Sequence, residues 1–316
     1  LSHPQERLSD LIVSDATRQL LAAGGLKKPV ISSACPAVVR LIQVRFPNLI
    51  PNILKIESPM ELAARIAKNT VSRDRGIPPE DIGVFFISPC AAKVTSVKAP
   101  YEKKESSVNG VLAMKDIHIP LMEKMKKIPA DIESDLVRSG FDGVGWARSG
   151  GESYALRNEQ YLAVHGIHNV IKILEEIVEE RLDGVEFVEC LSCTEGCLGG
   201  PLTVENPFVA RTNLKWQIKK AKQENFSSEN SSNDYQDLLW TEDVEYKPIL
   251  KLDDDLMKAM KKMQKMEEIN ESFPGLDCGA CGAPSCKALA EDIVRGLACE
   301  TDCIFKLRER VRDLAQ

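Results

Sequence analysis

The sequence contains no apolar run approaching the ~20 residues that a membrane-spanning helix needs, and no basic-then-apolar leader stands at its start. It also has no basic block beyond short stretches such as Lys124–Lys127, and its formal net charge is −6. A nucleic-acid surface needs clustered positive charge, which is missing here. These absences exclude a membrane span and a nucleic-acid surface, and they predict a cytoplasmic protein.

Extreme composition is absent as well, because hydrophobic residues make up 43% of the chain and charged residues 28%. This balance excludes collagen-like, wholly disordered and coiled-coil proteins. The 316 residues leave room for one large and one small domain. The chain starts with Leu1 instead of Met, so we expect it to be a piece of a longer protein.

Cysteine is plentiful but confined to clusters, with none between Cys90 and Cys190 or between Cys197 and Cys278. A disulfide framework suits a short secreted chain, whereas clustered cysteines in a leaderless chain of this size indicate metal binding or redox chemistry. The ten are Cys35, Cys90, Cys190, Cys193, Cys197, Cys278, Cys281, Cys286, Cys299 and Cys303.

Short apolar runs alternate with helical periods in the first two thirds of the chain. The runs are residues 29–33, 82–88 and 185–189, and they end at or just before Cys35, Cys90 and Cys190. The helical periods cover residues 38–42, 60–67 and 161–180. This alternation predicts a layered α/β domain, which places its ligand loops at the carboxyl ends of its strands.

Residues 221–247 are acidic and rich in Ser and Asn, with seven Asp or Glu against Lys222 and Lys247. This composition predicts a linker or an exposed arm, which residues 238–240 interrupt and dock onto a domain. Methionines then recur every three to four residues up to Met266, and we interpret them as helix packing surface. We expect three parts: an α/β domain at 1–220, a linker or arm at 221–250 and a helical module at 251–316.

The carboxyl-terminal module contains a dense cysteine motif, Cys278-Gly-Ala-Cys281-Gly-Ala-Pro-Ser-Cys286. Three cysteines within nine residues, a fourth seventeen later and no nearby histidine fit zinc ribbons poorly. The glycines supply the tight ligand loops of an iron–sulfur cube. The motif resembles the [4Fe-4S] module of electron-transfer and corrinoid-linked proteins, and that resemblance selects Cys303 as fourth ligand and leaves Cys299 as a spare thiol.

Three segments of the main domain offer one thiol from each of two strand ends and a close pair from a third loop. They surround Cys35, Cys90 and the stretch from Cys190 to Pro201. Four thiolates are the usual count for a cubane buried between loops. Scattered structural cysteines would not explain the prolines beside Cys35 and Cys90 or the glycines around Cys197.

In this order, the three segments resemble the catalytic (H-cluster) domain of [FeFe]-hydrogenases, from about Pro29 to about Lys219. The resemblance includes Phe141-Asp-Gly and Ser149-Gly-Gly151. It implies that Cys35, Cys90, Cys193 and Cys197 hold a [4Fe-4S] cubane. It further implies that Cys197 bridges to a di-iron unit carrying CO, cyanide and an azadithiolate, and that Lys93 hydrogen-bonds an iron cyanide. Lys93 and Cys197 are thus the catalytic candidates, and Cys190 is a spare core thiol.

Four positions depart from this family. Ala34 replaces the cysteine that passes protons, Ser14 and Thr17 replace relay carboxylates, and Ser88 replaces a methionine. With the appended [4Fe-4S] module, these changes resemble the sensory group of [FeFe]-hydrogenases, which continues into a signalling module. The family's domain also begins well before the Cys35 motif, so we expect the first lobe of this chain to be incomplete.

The resemblance implies reversible H2 oxidation and proton reduction in an anaerobe, slow because of Ala34. Electrons would leave through Cys197 and the first cubane toward the second cluster, and then to ferredoxin or another cluster domain. The alternative is a non-catalytic iron–sulfur protein, either a hydrogenase-like assembly factor or an electron-transfer protein, without the di-iron unit. Infrared bands of CO and cyanide distinguish the two.

Overall fold

The computed structural model describes residues 6–128, 141–223, 235–247, 252–253, 255–283 and 285–314. The chain divides into two compact units, Leu1–Lys247 and Pro248–Gln316. Among the described helices, none combines the length and the apolarity needed to cross a membrane.

The first unit alternates helices with short strands. Its helices are α1 (Glu6–Ala23), α2 (Pro36–Arg45), α3 (Pro59–Arg75), α4 (Ala91–Lys98), α5 (Met114–Met125), α6 (Phe141–Gly145), α7 (Gly151–Leu156), α8 (Ile167–Val178) and α9 (Pro207–Gln223). Its strands are β1 (Val30–Ile31), β2 (Phe85–Ser88), β3 (Gly110–Ala113), β4 (Tyr161–His165) and β5 (Phe187–Leu191).

All strand pairs in the described sheets are parallel. One sheet has the order β1-β5-β4, in which Phe187 of β5 lies opposite Val30 and Tyr161. The second sheet pairs β2 with β3, with Phe85 opposite Gly110. Because parallel strands end at the same edge of a sheet, the loops that follow β1 and β5 emerge side by side.

The core of the first unit lies on both faces of β5, all five residues of which are buried. Val188 and Cys190 face a cluster that α2 and α8 complete with Val39 and Leu174. Phe187 belongs to a second cluster with residues of α1 and α3. This burial on both sides is typical of a central parallel strand, and it confirms the predicted layered α/β fold.

The helical prediction for residues 161–180 is wrong at its start. Residues 161–165 form β4, and α8 begins only at Ile167, after Gly166 with a φ of +84°. The apolar residues of the run suit either structure, and the ladder to β5 decides in favour of a strand because it satisfies the backbone groups. The strand β3 was also not predicted.

Residues 235–247 form a strap that packs on the first unit. Its Leu238 is buried at 3% exposure, and the Trp240 indole N–H donates to the Ile56 carbonyl at 2.6 Å. The Trp240 ring meets the Tyr101 ring edge-on at 5.4 Å between centroids. Of the rest of the predicted linker, residues 221–223 form the end of α9, while residues 224–234 and 248–250 lie outside the described residues. The domain limits at 220 and 250 stay predictions.

The second unit is helical, as predicted, with α10 (Leu256–Ser272), α11 (Cys286–Val294) and α12 (Ile304–Leu314). Its core joins Met266, Ile269 and Phe273 to Leu289 and Ala290. The expectation that the methionines form packing surface holds for Met266 but is wrong for the other three. Met257, Met260 and Met263 are 64%, 59% and 53% exposed, because the buried face of α10 starts only at Met266.

Candidate iron–sulfur sites

Two of the predicted ligand cysteines lie between a strand and the helix that follows it. Cys35 follows β1 and caps the amino terminus of α2, where Pro36 takes the first helical position. Cys90 follows β2 and caps α4. Proline fits the first turn because its fixed φ is helical and its missing N–H has no partner there anyway. Both thiols are therefore held at the ends of rigid elements.

The third loop, from Cys193 to Cys197, follows β5 and turns tightly. Glu195 and Gly196 have φ angles of +60° and +72°, and the Cys197 N–H donates to the Ala147 carbonyl at 2.9 Å. At Gly200 a Cβ atom would lie 2.2 Å from the Pro89 carbonyl oxygen. Glycine is therefore required there, and it lets this loop press against the one that carries Cys90.

These loops bring the four cysteines and Lys93 together around one small cavity. Ser192 bridges two of the thiols, with its Oγ 3.6 Å from Cys35 Sγ and 3.7 Å from Cys193 Sγ. Burial raises the pKa of Cys193, and it raises the pKa of Cys197 to about 12 against the opposing charge of Lys93. The thiols of Cys193 and Cys197 thus need a bound cation to ionise, which suits metal ligation. Cys190 lies in the core at 0% exposure and does not line this cavity.

A larger cavity of about 230 Å³ adjoins the first and shares Ala34, Lys93, Leu191 and Cys197 with it. Met60, Phe86 and Pro89 contribute apolar wall. The Lys93 ammonium lies 5.2 Å from the centre of the Phe86 ring. The cavity therefore offers one cation and a cysteine sulfur in mostly apolar surroundings.

Three acidic residues that sequence reasoning missed also line this cavity, Asp10, Glu152 and Glu189, and the last two are only 4% and 1% exposed. The Ser32 hydroxyl donates to Glu152 at 2.5 Å, while Glu189 accepts from the Gly150 N–H and from the N–H and hydroxyl of Ser153 at 2.8–2.9 Å. Burial and the charge of Glu189 raise the pKa of Glu152 to about 8. The available signal in the sequence was Glu189, an acid inside the strand at residues 187–191, which is unusual for a buried strand.

Besides Ala34, three positions depart from the hydrogenase pattern, and Ser14, Thr17 and Ser88 there form hydrogen bonds with backbone groups. The Ser14 hydroxyl donates to the Asp10 carbonyl and accepts from the Trp146 indole, and Thr17 donates to the Val13 carbonyl. The Ser88 hydroxyl accepts from the Cys90 N–H at 3.0 Å. Ser14 and Thr17 are buried but lie outside the wall of the larger cavity.

In the second unit, Cys278, Cys281, Cys286 and Cys303 line a pocket of their own. Gly279 and Gly282 take φ angles of +67° and +88°, which the short ligand loops require. Asp277 accepts from the Cys286 N–H at 2.7 Å, and this bond fixes the start of α11. Cys299 is exposed, and its sulfur contacts Thr301 and Asp302 outside this pocket.

Both cysteine sets surround space instead of closing on one point. Among the described residues, no group of three or more His, Cys, Asp or Glu side chains is arranged to hold a single metal ion. Four thiols around a cavity suit a cluster of iron and sulfide, in which each thiolate binds a different iron. The donor sets therefore fit [4Fe-4S] clusters better than a closed zinc site.

The fold and its thiol-lined cavities define a hydrogenase-like iron–sulfur protein. The family model "Iron only hydrogenase large subunit, C-terminal domain" matches residues 8–159 and 151–201, and the chain belongs to this family. A family model for an Fe-S cluster matches residues 273–305, which contain the second cysteine set.

Curated relatives include two kinds of protein. A cytosolic Fe-S cluster assembly factor nar1 of Aspergillus terreus is 34% identical over 88 residues, which are 28% of this chain and 14% of that protein. NAR1 of Sclerotinia sclerotiorum is 30% identical over 110 residues, 34% of this chain and 19% of that protein. Iron hydrogenase 1 of Clostridium pasteurianum is 21% identical over 215 residues, 54% of this chain and 37% of that protein. The matches thus span well under half of these relatives.

Solved structures show the same fold. A variant of [FeFe]-hydrogenase HydA1 from Chlamydomonas reinhardtii superposes with a TM-score of 0.51 at 14% identity, covering 78% of this chain and 84% of that one. A structure of HydA(deltaEFG), described as a stage of H-cluster assembly, gives a TM-score of 0.50 at 15% identity over 76% and 83% of the two chains. At such identities the likeness concerns the fold alone.

Proposed function

We propose that this protein is an iron–sulfur oxidoreductase that activates H2 slowly at the main-domain site. The observation that carries the proposal is the 230 Å³ cavity beside the four cysteines, which shares Lys93 and Cys197 with them. A cubane on four thiolates does not need this second space. A small anionic metal group suits it, because the Lys93 ammonium supplies the opposite charge, and burial raises the pKa of Glu152 and Glu189 in the same lining, which favours their neutral forms.

In this proposal, Cys35, Cys90, Cys193 and Cys197 hold the [4Fe-4S] cubane, and Cys197 with Lys93 also contacts a di-iron subcluster carrying CO, cyanide and azadithiolate. When bound, the di-iron unit would supply the site of H2 activation. Cys197 lines both cavities and would therefore contact both groups. Lys93 orients the anionic ligands by donating hydrogen bonds.

Proton handling falls to residues around Ala34, whose methyl group holds no proton. Glu152 lines the same cavity, and its raised pKa keeps a proton on the carboxyl at neutral pH. The Ser32 hydroxyl donates to this carboxyl and accepts from the Ala34 N–H at 3.1 Å. These groups hold and orient a proton, but the thiol that delivers it directly in fast enzymes is absent, so turnover is slow.

Cys278, Cys281, Cys286 and Cys303 would hold a second [4Fe-4S] cluster, which would supply electron exchange with a redox partner such as ferredoxin or another cluster domain. We place the protein in the cytoplasm of an anaerobe, as a sensory hydrogenase-like protein that continues into a signalling module. The limits 1–220, 221–250 and 251–316 remain our proposal for its domains.

A second candidate is a non-catalytic iron–sulfur protein without the di-iron unit. Ala34 favours it, and so do the curated relatives, since the two cytosolic Fe-S cluster assembly factors named above match at 30–34% identity over 88–110 residues, whereas the iron hydrogenase matches at 21% over 215 residues. In that case the main cubane serves cluster transfer or electron transfer to assembly partners. The comparisons fit this candidate at least as well as H2 activation.

Infrared spectroscopy after anaerobic maturation tests the proposal. We expect bands from bound CO and cyanide in the full chain and their loss in Cys197→Ser.

At equal cofactor loading, Ala34→Cys should raise the rate of H2 oxidation with an artificial acceptor, because a positioned acid or base contributes about 10²–10⁴-fold. A chain that binds its full complement of iron yet shows no such bands would support the second candidate.

A further inference from the structure

Glu195 occupies an unusual place inside the Cys193–Cys197 loop. It takes the left-handed conformation, with φ at +60°, although it carries a Cβ atom, and its side chain is only 6% exposed. Its N–H donates to His165 Nδ1 at 3.2 Å. A strained, buried acid between two candidate ligands needs compensation from its surroundings.

That compensation comes from Arg211 on α9. Its Nη1 lies 2.9 Å from each carboxylate oxygen of Glu195. The helix α9 also packs against the turn Gly196–Gly199. Arg211 therefore lies on the same helix that supports the Cys193–Cys197 loop. Arginine suits this task because its charge is permanent and its planar group donates several hydrogen bonds in a fixed geometry.

We propose that Arg211 is a positioning residue that acts through Glu195. The ion pair holds the Cys193–Cys197 loop in its left-handed turn, and it cancels the carboxylate charge beside the cubane. This inference rests on the proposed cubane at Cys35, Cys90, Cys193 and Cys197. Reduction adds one negative charge to that cubane, so the balance between Glu195 and Arg211 contributes to its reduction potential.

The test is a charge cycle on the reconstituted full chain, in a Cys281→Ala background that leaves the main cubane as reporter. Redox titration at pH 8, followed by electron paramagnetic resonance, gives its potential. Arg211→Gln should lower the potential because the carboxylate stays unpaired, and Glu195→Gln should raise it because the guanidinium stays unpaired. The double variant should return close to the starting value. The matched control is Lys215→Gln, at an exposed residue one turn after Arg211 in α9, and it should leave the reduction potential unchanged.

The stabilisation of the Cys193–Cys197 loop by the ion pair is tested separately, by the rate at which the cubane loses iron to a chelator. Arg211→Lys keeps the charge but has a shorter side chain without the planar guanidinium, so it should keep the potential and release iron faster. If Arg211→Gln cannot retain the cubane, its recovery in the double variant supports the proposal. Single variants that shift the potential in the same direction, or not at all, overturn it. A starting protein without a main-unit cubane would instead refute the proposed function.

Discussion

Two buried carboxylates make the stability of the first unit depend on pH. The pKa of Glu152 is raised from 4.5 to about 8 by burial and by the charge of Glu189. Below about 4.5 the carboxyl is protonated in both states, so its stabilising effect is complete. As pH rises toward 8, the unfolded chain loses its proton first, and the free energy of unfolding falls by about 1.4 kcal/mol per unit of pKa difference.

Glu152→Gln should remove the contribution of Glu152 to this dependence, because the amide stays neutral at every pH, while Glu189 keeps its own contribution. Urea unfolding between pH 5 and 8.5 measures it, and tryptophan fluorescence reports the first unit alone because Trp146, Trp216 and Trp240 all lie there. The starting protein should lose stability relative to the variant as pH rises. The exposed Glu205→Gln serves as control, and parallel curves for Glu152→Gln and the starting protein would contradict the burial argument.

Whether a site residue could be predicted depended on how local its signal was. Cys35 and Cys90 carry adjacent prolines, and the glycines near Cys197 mark a tight loop, so the sequence alone could single these cysteines out as candidate ligands. Glu152 carries no such signal, and Glu189 offers only that of an acid inside the strand at residues 187–191. Their role comes from a cavity built by segments far apart in sequence, and burial of an acid is visible only after folding.

The same contrast separates the elements. Short apolar runs predict the strands β1, β2 and β5. The apolar period of residues 161–180 predicts the start of a helix where the structure has β4. Residues 161–165 are apolar enough for either structure, and only the parallel partner β5 decides between them. Periodicity therefore located the elements, but pairing between distant segments determined the type of β4.

The strap, residues 235–247, shows how an acidic region can still be structural. Trp240 donates to the Ile56 carbonyl and packs against Tyr101, so Trp240→Ala should lower the free energy of unfolding by an amount toward the lower end of ~3–5 kcal/mol. Trp216→Ala is the matched control, since that indole is 63% exposed, and it should change stability by less than about 0.5 kcal/mol. Urea unfolding followed by circular dichroism measures both. Equal effects would mean that the strap does not stabilise the first unit.

The 316 residues carry two four-cysteine sets, one in each unit, with one further cysteine near each set. The cavities divide the ten cysteines accordingly, because Cys190 lies in the first core and Cys299 stands outside the second pocket. A cluster needs all four thiolates, so the loss of one ligand should empty its own site and leave the other site filled.

Anaerobic reconstitution should therefore give about eight irons per chain, four for each cubane. Cys281→Ala and Cys35→Ala should each remove about four, while Cys190→Ala and Cys299→Ala should remove none, because the last two thiols do not line a cysteine cavity. Iron analysis together with circular dichroism separates cluster loss from unfolding. Saturation near four irons in the starting protein would refute the two-cluster arrangement. A folded Cys281→Ala chain without any iron would show instead that assembly of the first cluster depends on the second.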